Sequence, residues 1–129
     1  MTEATRNTQQ WLTQWADEPY AYLTTAGRRS GRLHRIEIWF GVDDGRLYLL
    51  SGGRERSDWV RNLQANADVI VELGDESRTG VARIVQADSV EDQRARELLV
   101  EKYREGDNLN EWGQTSLPVA IEFPDGTLR

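Results

Sequence analysis

The chain has 129 residues, a formal net charge of -6, 38% hydrophobic and 29% charged residues, and no cysteine. Those numbers let one domain bury a core without staples, and they exclude disulfides, thiolate nucleophiles and thiolate metal sites. The acidic balance argues against duplex nucleic acid as a partner, and no stretch nears the ~18 apolar residues of a membrane span.

In chain order, Trp11, Leu12 and Trp15 fall at helical spacing, which predicts an amphipathic helix over residues 6–16, stopped by Pro19. The run YAYLTT at 20–25 is aromatic and β-branched and reads as a strand. HRIEIWFGV at 34–42 alternates, with Ile36, Ile38 and Phe40 on one face and Arg35, Glu37 and Trp39 on the other. DDGR turns the chain into LYLLS at 47–51, so the first half reads as a β-meander. Ser57 or Asp58 can cap a short helix carrying Trp59, Val60 and Leu63. DVIVELG at 68–74 and RTGVARIVQA at 78–87 form a further hairpin. Residues 89–105 form the strongest helix, with Ser89 as cap, Asp92 three residues on, and an apolar stripe of Val90, Leu98, Leu99 and Tyr103. TSLPVAIEF at 115–123 is the last strand. Six strands in hairpin-connected groups, with helices between them, predict an α+β fold with an antiparallel sheet closed into a small, partly open barrel.

The chain is expected to be one domain over residues 1–129: an N-terminal helix through residue 18, a strand-rich section at 20–87, and a closing helix and strand at 88–129. With no apolar signal core at the N-terminus, a cytoplasmic protein without stable membrane insertion is expected.

The chemistry-bearing feature is AGRRSGRLHR at 26–35, where four arginines and the only histidine crowd a glycine-broken loop of an acidic chain. It reads either as a solvated turn or as an anion site, since glycines present backbone N–H groups and arginine forks match phosphate and carboxylate. No phosphate-loop, dinucleotide or zinc-protease motif is present. One histidine and no cysteine leave no transition-metal site and no marked nucleophile. An enzyme built on this chain would need a cofactor to carry the chemistry.

YLTTAGRRSGRLHRIEIWF, then LYLLSGGRERSDWVRNLQAN and VIVELG, together resemble the deazaflavin (F420)-dependent nitroreductase family, in order and over roughly residues 20–87. The resemblance implies an antiparallel six-stranded split β-barrel, like that of pyridoxamine-phosphate oxidases, with peripheral helices. It implies a reductase that passes a hydride between reduced F420 and a small organic acceptor. The cofactor is a deazaflavin on a phosphate with a polyglutamate tail. By resemblance, Arg28, Arg29 and Ser30 hold the phosphate and tail, with Gly31 shaping the loop and Arg32 adding a donor. His34 to Trp39 line the groove, Ser51, Gly52 and Gly53 lie against the ring, and Arg54, Arg56, Trp59 and Asn62 close around it.

Alternatives stay open at several of these positions. Ser51–Gly53 reads equally as a turn with glycines at positive φ, Trp59 as a core residue, and Asn62 as a backbone-bonding residue. Trp39 on the polar face wants a partner, which a substrate or the interface of a homodimer supplies. Tyr103 is the only tyrosine beyond residue 48 and is assigned to the helix stripe, which leaves Trp112 as the nearest aromatic for a substrate pocket. An FMN-dependent relative on the same barrel, or a non-catalytic protein that binds F420 or another anion, are the competing functions.

Overall fold

The computed structural model describes residues 8–104 and 109–124. Seven strands form one sheet: β1 (Ala21–Ala26), β2 (Leu33–Ile38), β3 (Gly41–Asp43), β4 (Arg46–Ser51), β5 (Asp68–Leu73), β6 (Glu76–Ile84) and β7 (Leu117–Glu122). The spatial order is β2-β1-β5-β6-β7-β4-β3, and every neighbouring pair is antiparallel.

The seventh strand comes from splitting the expected 34–42 strand at Trp39 and Phe40, and this split also corrects the expected meander. β2 lies at one edge of the sheet and β3, two residues further along the chain, at the other. Seven strands laid flat at ~4.8 Å spacing would hold their edges roughly 29 Å apart. The step from Ile38 to Gly41 can reach about 11 Å at most. The sheet must therefore curl until its edges meet, which makes a barrel. The backbone of Phe40 at the break bonds to the Tyr103 phenol instead: its N–H donates at 3.1 Å, and the phenol's proton is shared between Phe40 O at 3.2 Å and Pro19 O at 2.9 Å.

Alternation along β4 explains why LYLLS is apolar throughout. Leu47 and Leu49 enter the main core with Leu23, Phe40, Val69, Val71, Val119 and Ile121. Tyr48 and Leu50 face the other way, into a second cluster with Ala95, Leu99 and Ala120. The second cluster sits under α3 (Val90–Lys102), whose Ser89 cap accepts from Asp92 N at 3.0 Å while Asp92 Oδ2 accepts from Asp88 N at 2.9 Å. Position 105 of the expected helix lies outside the described residues. Val90 does not belong to the stripe: it is 86% exposed, and the buried face runs through Asp92, Ala95 and Leu99.

The expected N-terminal helix is α1 (Thr8–Trp15), with positions 6 and 7 outside the described residues. Trp11 and Leu12 are buried, and Trp15 lies on the backbone of Gly74, where φ is +60° and a side chain would collide with the indole. Two further helices flank the barrel: α2 (Asp58–Ala65), and α4 (Leu109–Thr115), which the sequence did not suggest. Gly113 sits inside α4 because a side chain there would collide with Val100 of α3. Glycine is a poor helix former, so close packing alone justifies it.

Candidate functional site

The basic loop is the tip of the β1–β2 hairpin. Gly27 N donates to Arg32 O at 2.7 Å and Gly31 N to Gly27 O at 2.8 Å, and Gly31 takes φ +76°. A side chain at Gly27 would stand 3.0 Å from both His34 Nε2 and Ser30 Oγ, so the glycine lets both approach. Ser30 Oγ accepts from Arg32 N at 3.1 Å, which holds the turn.

Arg28 and Asn62 are brought together, but largely for each other. Asn62 is buried, and its Oδ1 accepts from Arg28 N at 3.1 Å and Arg28 Nη1 at 2.9 Å, while its Nδ2 donates to Thr25 Oγ1 at 3.2 Å. Arg28 Nη2 also meets Asp58 Oδ1 at 3.2 Å. This clip fastens the loop to α2 and engages the Arg28 backbone N–H and both terminal guanidinium nitrogens. The guanidiniums of Arg29 and Arg32 are exposed and make no hydrogen bond or ion pair with any other described residue. A pocket of about 250 Å³ is lined by Gly27, Arg28, Arg29, Ser30, His34, Asp58 and Asn62. Gly31 and Arg32 stand at the exposed tip beside it.

The second predicted stretch follows β4. Ser51 is buried, donating from Oγ to Arg54 O at 3.0 Å and sharing a 2.8 Å contact with Ser57 Oγ. The positive φ expected of the glycines falls instead on Arg54, at 53°, while Gly53 has φ -81°. Gly53 is small for a different reason: a side chain would stand 2.5 Å from Ser57 Oγ. Arg54 Nη1 donates to Thr115 O at 2.7 Å, which ties the stretch to α4. Arg56 is exposed and makes no side-chain bond to a described residue. Trp59 packs against the main core, as the packing reading had it.

Trp39 leads to a different place. It stacks on Tyr103 with centroids 4.1 Å apart and planes 3° from parallel, and meets Trp112 edge-on at 5.5 Å. Burial pushes the Tyr103 phenol up to about 12, partly offset by its backbone bond to Phe40. The tyrosine thus stays a neutral hydrogen-bonding post behind Trp39. In front of Trp39 and Trp112 opens a cavity of about 670 Å³, with Ile38 and Leu50 as apolar wall and Tyr20, Glu37 and Glu111 among its exposed lining. Gly52 also lines it, and a Cβ there would stand 3.7 Å from Trp112 Cδ1.

Of the predicted residues, Arg28, Arg29, Ser30, His34 and Asn62 line the basic pocket and Trp39 and Gly52 the aromatic cavity, while Gly31, Arg32, Ser51, Gly53, Arg54, Arg56 and Trp59 line neither; the two pockets share two chain segments. β2 carries His34 in the basic pocket and Ile38 in the aromatic cavity. The stretch from β4 to α2 carries Leu50 and Gly52 in the cavity and Asp58 and Asn62 in the basic pocket. From His34 to Ile38 is roughly 13 Å along an extended strand. Tyr20, Leu50, Asp58, Glu111, Thr115 and Ser116 line the two pockets but were not among the expected site residues, and Glu37 lay within the 34–39 stretch without being singled out. The signal available for Glu37 was its place beside Trp39 on the polar face of β2.

Comparison with known proteins places this geometry. A family model described as F420H(2)-dependent quinone reductase matches residues 1–124. A Mycobacterium tuberculosis protein assigned the same activity is 28% identical over 109 residues, covering 82% of this chain and 90% of that protein. The solved structure of an F420-dependent reductase, FDR-A, superposes with a TM-score of 0.66 at 24% identity, over 81% of this chain and 93% of that one. A Listeria innocua protein assigned as a pyridoxamine 5'-phosphate oxidase superposes at 0.65 with 17% identity over 95% of both chains, which shows the split-barrel fold. A domain-swapped dimer superposes at 0.65 with 25% identity over 88% of this chain and 92% of that one. The chain belongs to the F420H(2)-dependent quinone reductase family, oxidoreductases whose cofactor is F420.

Proposed function

We propose that the protein reduces a quinone-type ring in the aromatic cavity, with the cofactor's phosphate and glutamate tail on the basic hairpin. The observation that carries this reading is the opposite chemical character of two pockets joined along β2. One offers Arg29 and His34, with Arg32 exposed on the same hairpin; the other offers Trp39, Trp112, Ile38 and Leu50.

The residues suit a long, one-end-charged cofactor. Arg29 and Arg32 are cations unspent on other described residues, beside an open pocket, and arginine forks bind phosphate and carboxylate oxygens bidentately. The chain runs from Gly52 at the cavity to Asp58 at the basic pocket, and the bare Gly52 leaves room for a flat ring beside the cavity. The cavity volume, about 670 Å³, is of the size that holds a small aromatic ligand. Bound there, reduced F420 supplies the hydride.

The chain's own contribution is placement and water exclusion. The Arg28–Asn62 clip holds the hairpin against α2, so the anion-binding end is pre-set. Tyr103 fixes the Trp39 indole by stacking, and Trp112 closes the other side. A flat acceptor is thereby held with its plane and depth defined, which is how positioning lowers a hydride-transfer barrier. A second copy of the chain is part of the proposal: the likeness to a domain-swapped dimer supports a homodimer, and Leu33, Ile70 and Val81 are apolar side chains left exposed.

The test is steady-state turnover of reduced F420 with neutral quinones. Quinone-dependent oxidation of the cofactor is expected; tight cofactor binding without acceptor-dependent oxidation would instead make the protein a binding or storage module. Titration with FMN in parallel is expected to give the weaker complex, because FMN carries a phosphate but no polyglutamate tail for Arg29 and Arg32 to hold.

A further inference from the structure

The aromatic cavity has a charge pattern that the reading above does not use. Among the described residues, its lining holds two carboxylates, Glu37 and Glu111, and no lysine, arginine or histidine. Both glutamates are exposed at the mouth, while Trp39, Trp112, Ile38 and Leu50 are half-buried or buried further in. The two carboxylates come from unrelated elements, β2 and α4.

Nearby cations do not cancel them. Arg35, two residues before Glu37 on the same face of the strand, is held by Glu72 through bonds of 2.8 and 3.2 Å and attracts Glu37 only weakly, without a bond. Arg54, which reaches Thr115 O beside Glu111, is paired with Glu55 at 3.4 Å. Glu37 accepts one bond, from the Tyr22 phenol at 2.9 Å, which leaves its charge in place. The Glu111 carboxylate has no partner among the described residues. The fully buried Ser116 hydroxyl also lines this cavity without a hydrogen-bond partner among the described residues.

We propose that the cavity selects its acceptor by charge: flat aromatic rings that are neutral or cationic enter, and rings bearing sulfonate or carboxylate are turned away, with Glu37 and Glu111 as the discriminating residues. The physical basis is twofold. Like charges brought together at a partly desolvated mouth repel. Indole faces attract organic cations and also stack on neutral rings. The proposal rests on the quinone-reductase reading and names the class of acceptor that site takes. The same polarity keeps the cofactor's anionic tail out of the cavity and directs it to the hairpin.

The experiment uses three quinones built on one naphthoquinone nucleus: unsubstituted, sulfonated, and bearing a trimethylammonium group. Wild type and the E37Q/E111Q double variant are compared for kcat/KM and for quenching of tryptophan fluorescence by each probe, at low and high salt. For wild type, kcat/KM for the sulfonated probe is expected at least about tenfold below that for the neutral one, carried by KM and shrinking with added salt. In the double variant, the sulfonate-to-neutral ratio is expected to rise about tenfold and the preference for the ammonium probe to disappear. Equal use of all three quinones by wild type, or discrimination that survives E37Q/E111Q, would overturn the proposal. If none of the three is reduced, the quinone reading fails, and quenching still decides the charge rule: equal affinity for the sulfonated and neutral probes sinks it, and a tenfold difference lost in the double variant sustains it.

Discussion

At the scale of single residues, the structure separates arginines that hold the protein from arginines left to bind. Arg28 looked like the first tail ligand, but it is clipped to Asn62 and Asp58. Arg29 and Arg32 have no side-chain partner among the described residues. Arg29→Ala with Arg32→Ala is therefore expected to weaken F420 binding by ~10–100-fold, about 1.4–2.8 kcal/mol. Asn62→Ala should act differently. It removes the partner of Arg28 N and Thr25 Oγ1 at a buried position, and should cost ~1–3 kcal/mol of folding stability in a urea titration. Unchanged stability would show that the clip is dispensable. Lys102 is a second residue-scale case. Burial, opposed by Asp17 and Glu18, lowers its pKa to about 8, and its ammonium sits 3.5 Å from the Phe40 ring centroid and 2.9 Å from Ala16 O. A lysine depressed in the folded state binds fewer protons there than when unfolded, so stability should rise between pH 8 and about 10. Lys102→Met should lose that rise.

At the scale of elements, the two short helices decide where the site lies. Gly113→Ala would drive a methyl into Val100 and push α4 off α3. A loss of ~1–3 kcal/mol is expected, together with a higher acceptor KM as Trp112 shifts. Val100→Ala in the same chain should restore both, since it removes the atoms in conflict; no rescue would mean that the contact is not what places α4. This element also marks the limit of what the sequence disclosed. The strands were legible because period-2 alternation and turn residues are local signals. The split of the 34–42 strand was not, because it depends on Tyr103, 63 residues from Phe40, taking up the Phe40 backbone. α4 was hidden by its interior glycine, which lowers helix propensity and is justified only by the neighbouring helix. For the site, the basic hairpin announced itself by composition. The aromatic cavity did not, because its walls come from β2, β4 and α4, and only Trp39, Gly52 and Trp112 drew notice beforehand.

For the whole molecule, the net charge of -6 is distributed rather than diffuse. Carboxylates are gathered into ion pairs on the sheet: Arg83 meets Glu91 at 2.7 Å and Glu122 at 2.9 Å, and Arg46 meets Glu122 at 3.0 Å. The Arg83 bond, with help from the Tyr48 phenol, holds the Glu91 carboxyl down at about 2, against a usual 4.5. Glu72 and Glu122 are lowered too, by Arg35 and by Arg46 with Arg83. Carboxylates depressed in the folded state add stability above their unfolded pKa and lose it as pH falls through the folded value. Stability should therefore drop as pH falls from about 4.5 to about 2, modestly because these pairs are partly exposed. Glu91→Gln should flatten part of that slope in acid unfolding followed by circular dichroism. An unaltered slope would place the acid sensitivity elsewhere. With those charges answered in place, Arg29 and Arg32, unpaired among the described residues, and the acidic cavity mouth stand out as opposite poles.

The most direct measurement is a binding titration of wild type and the Arg29→Ala/Arg32→Ala variant with two ligands: full F420, and the deazaflavin lacking phosphate and glutamates. Wild type is expected to prefer full F420 by at least about tenfold, and the variant to lose this preference while still binding the truncated ring as wild type does. Equal wild-type affinity for both ligands, or a preference that survives the double substitution, would contradict the claim that the hairpin holds the tail.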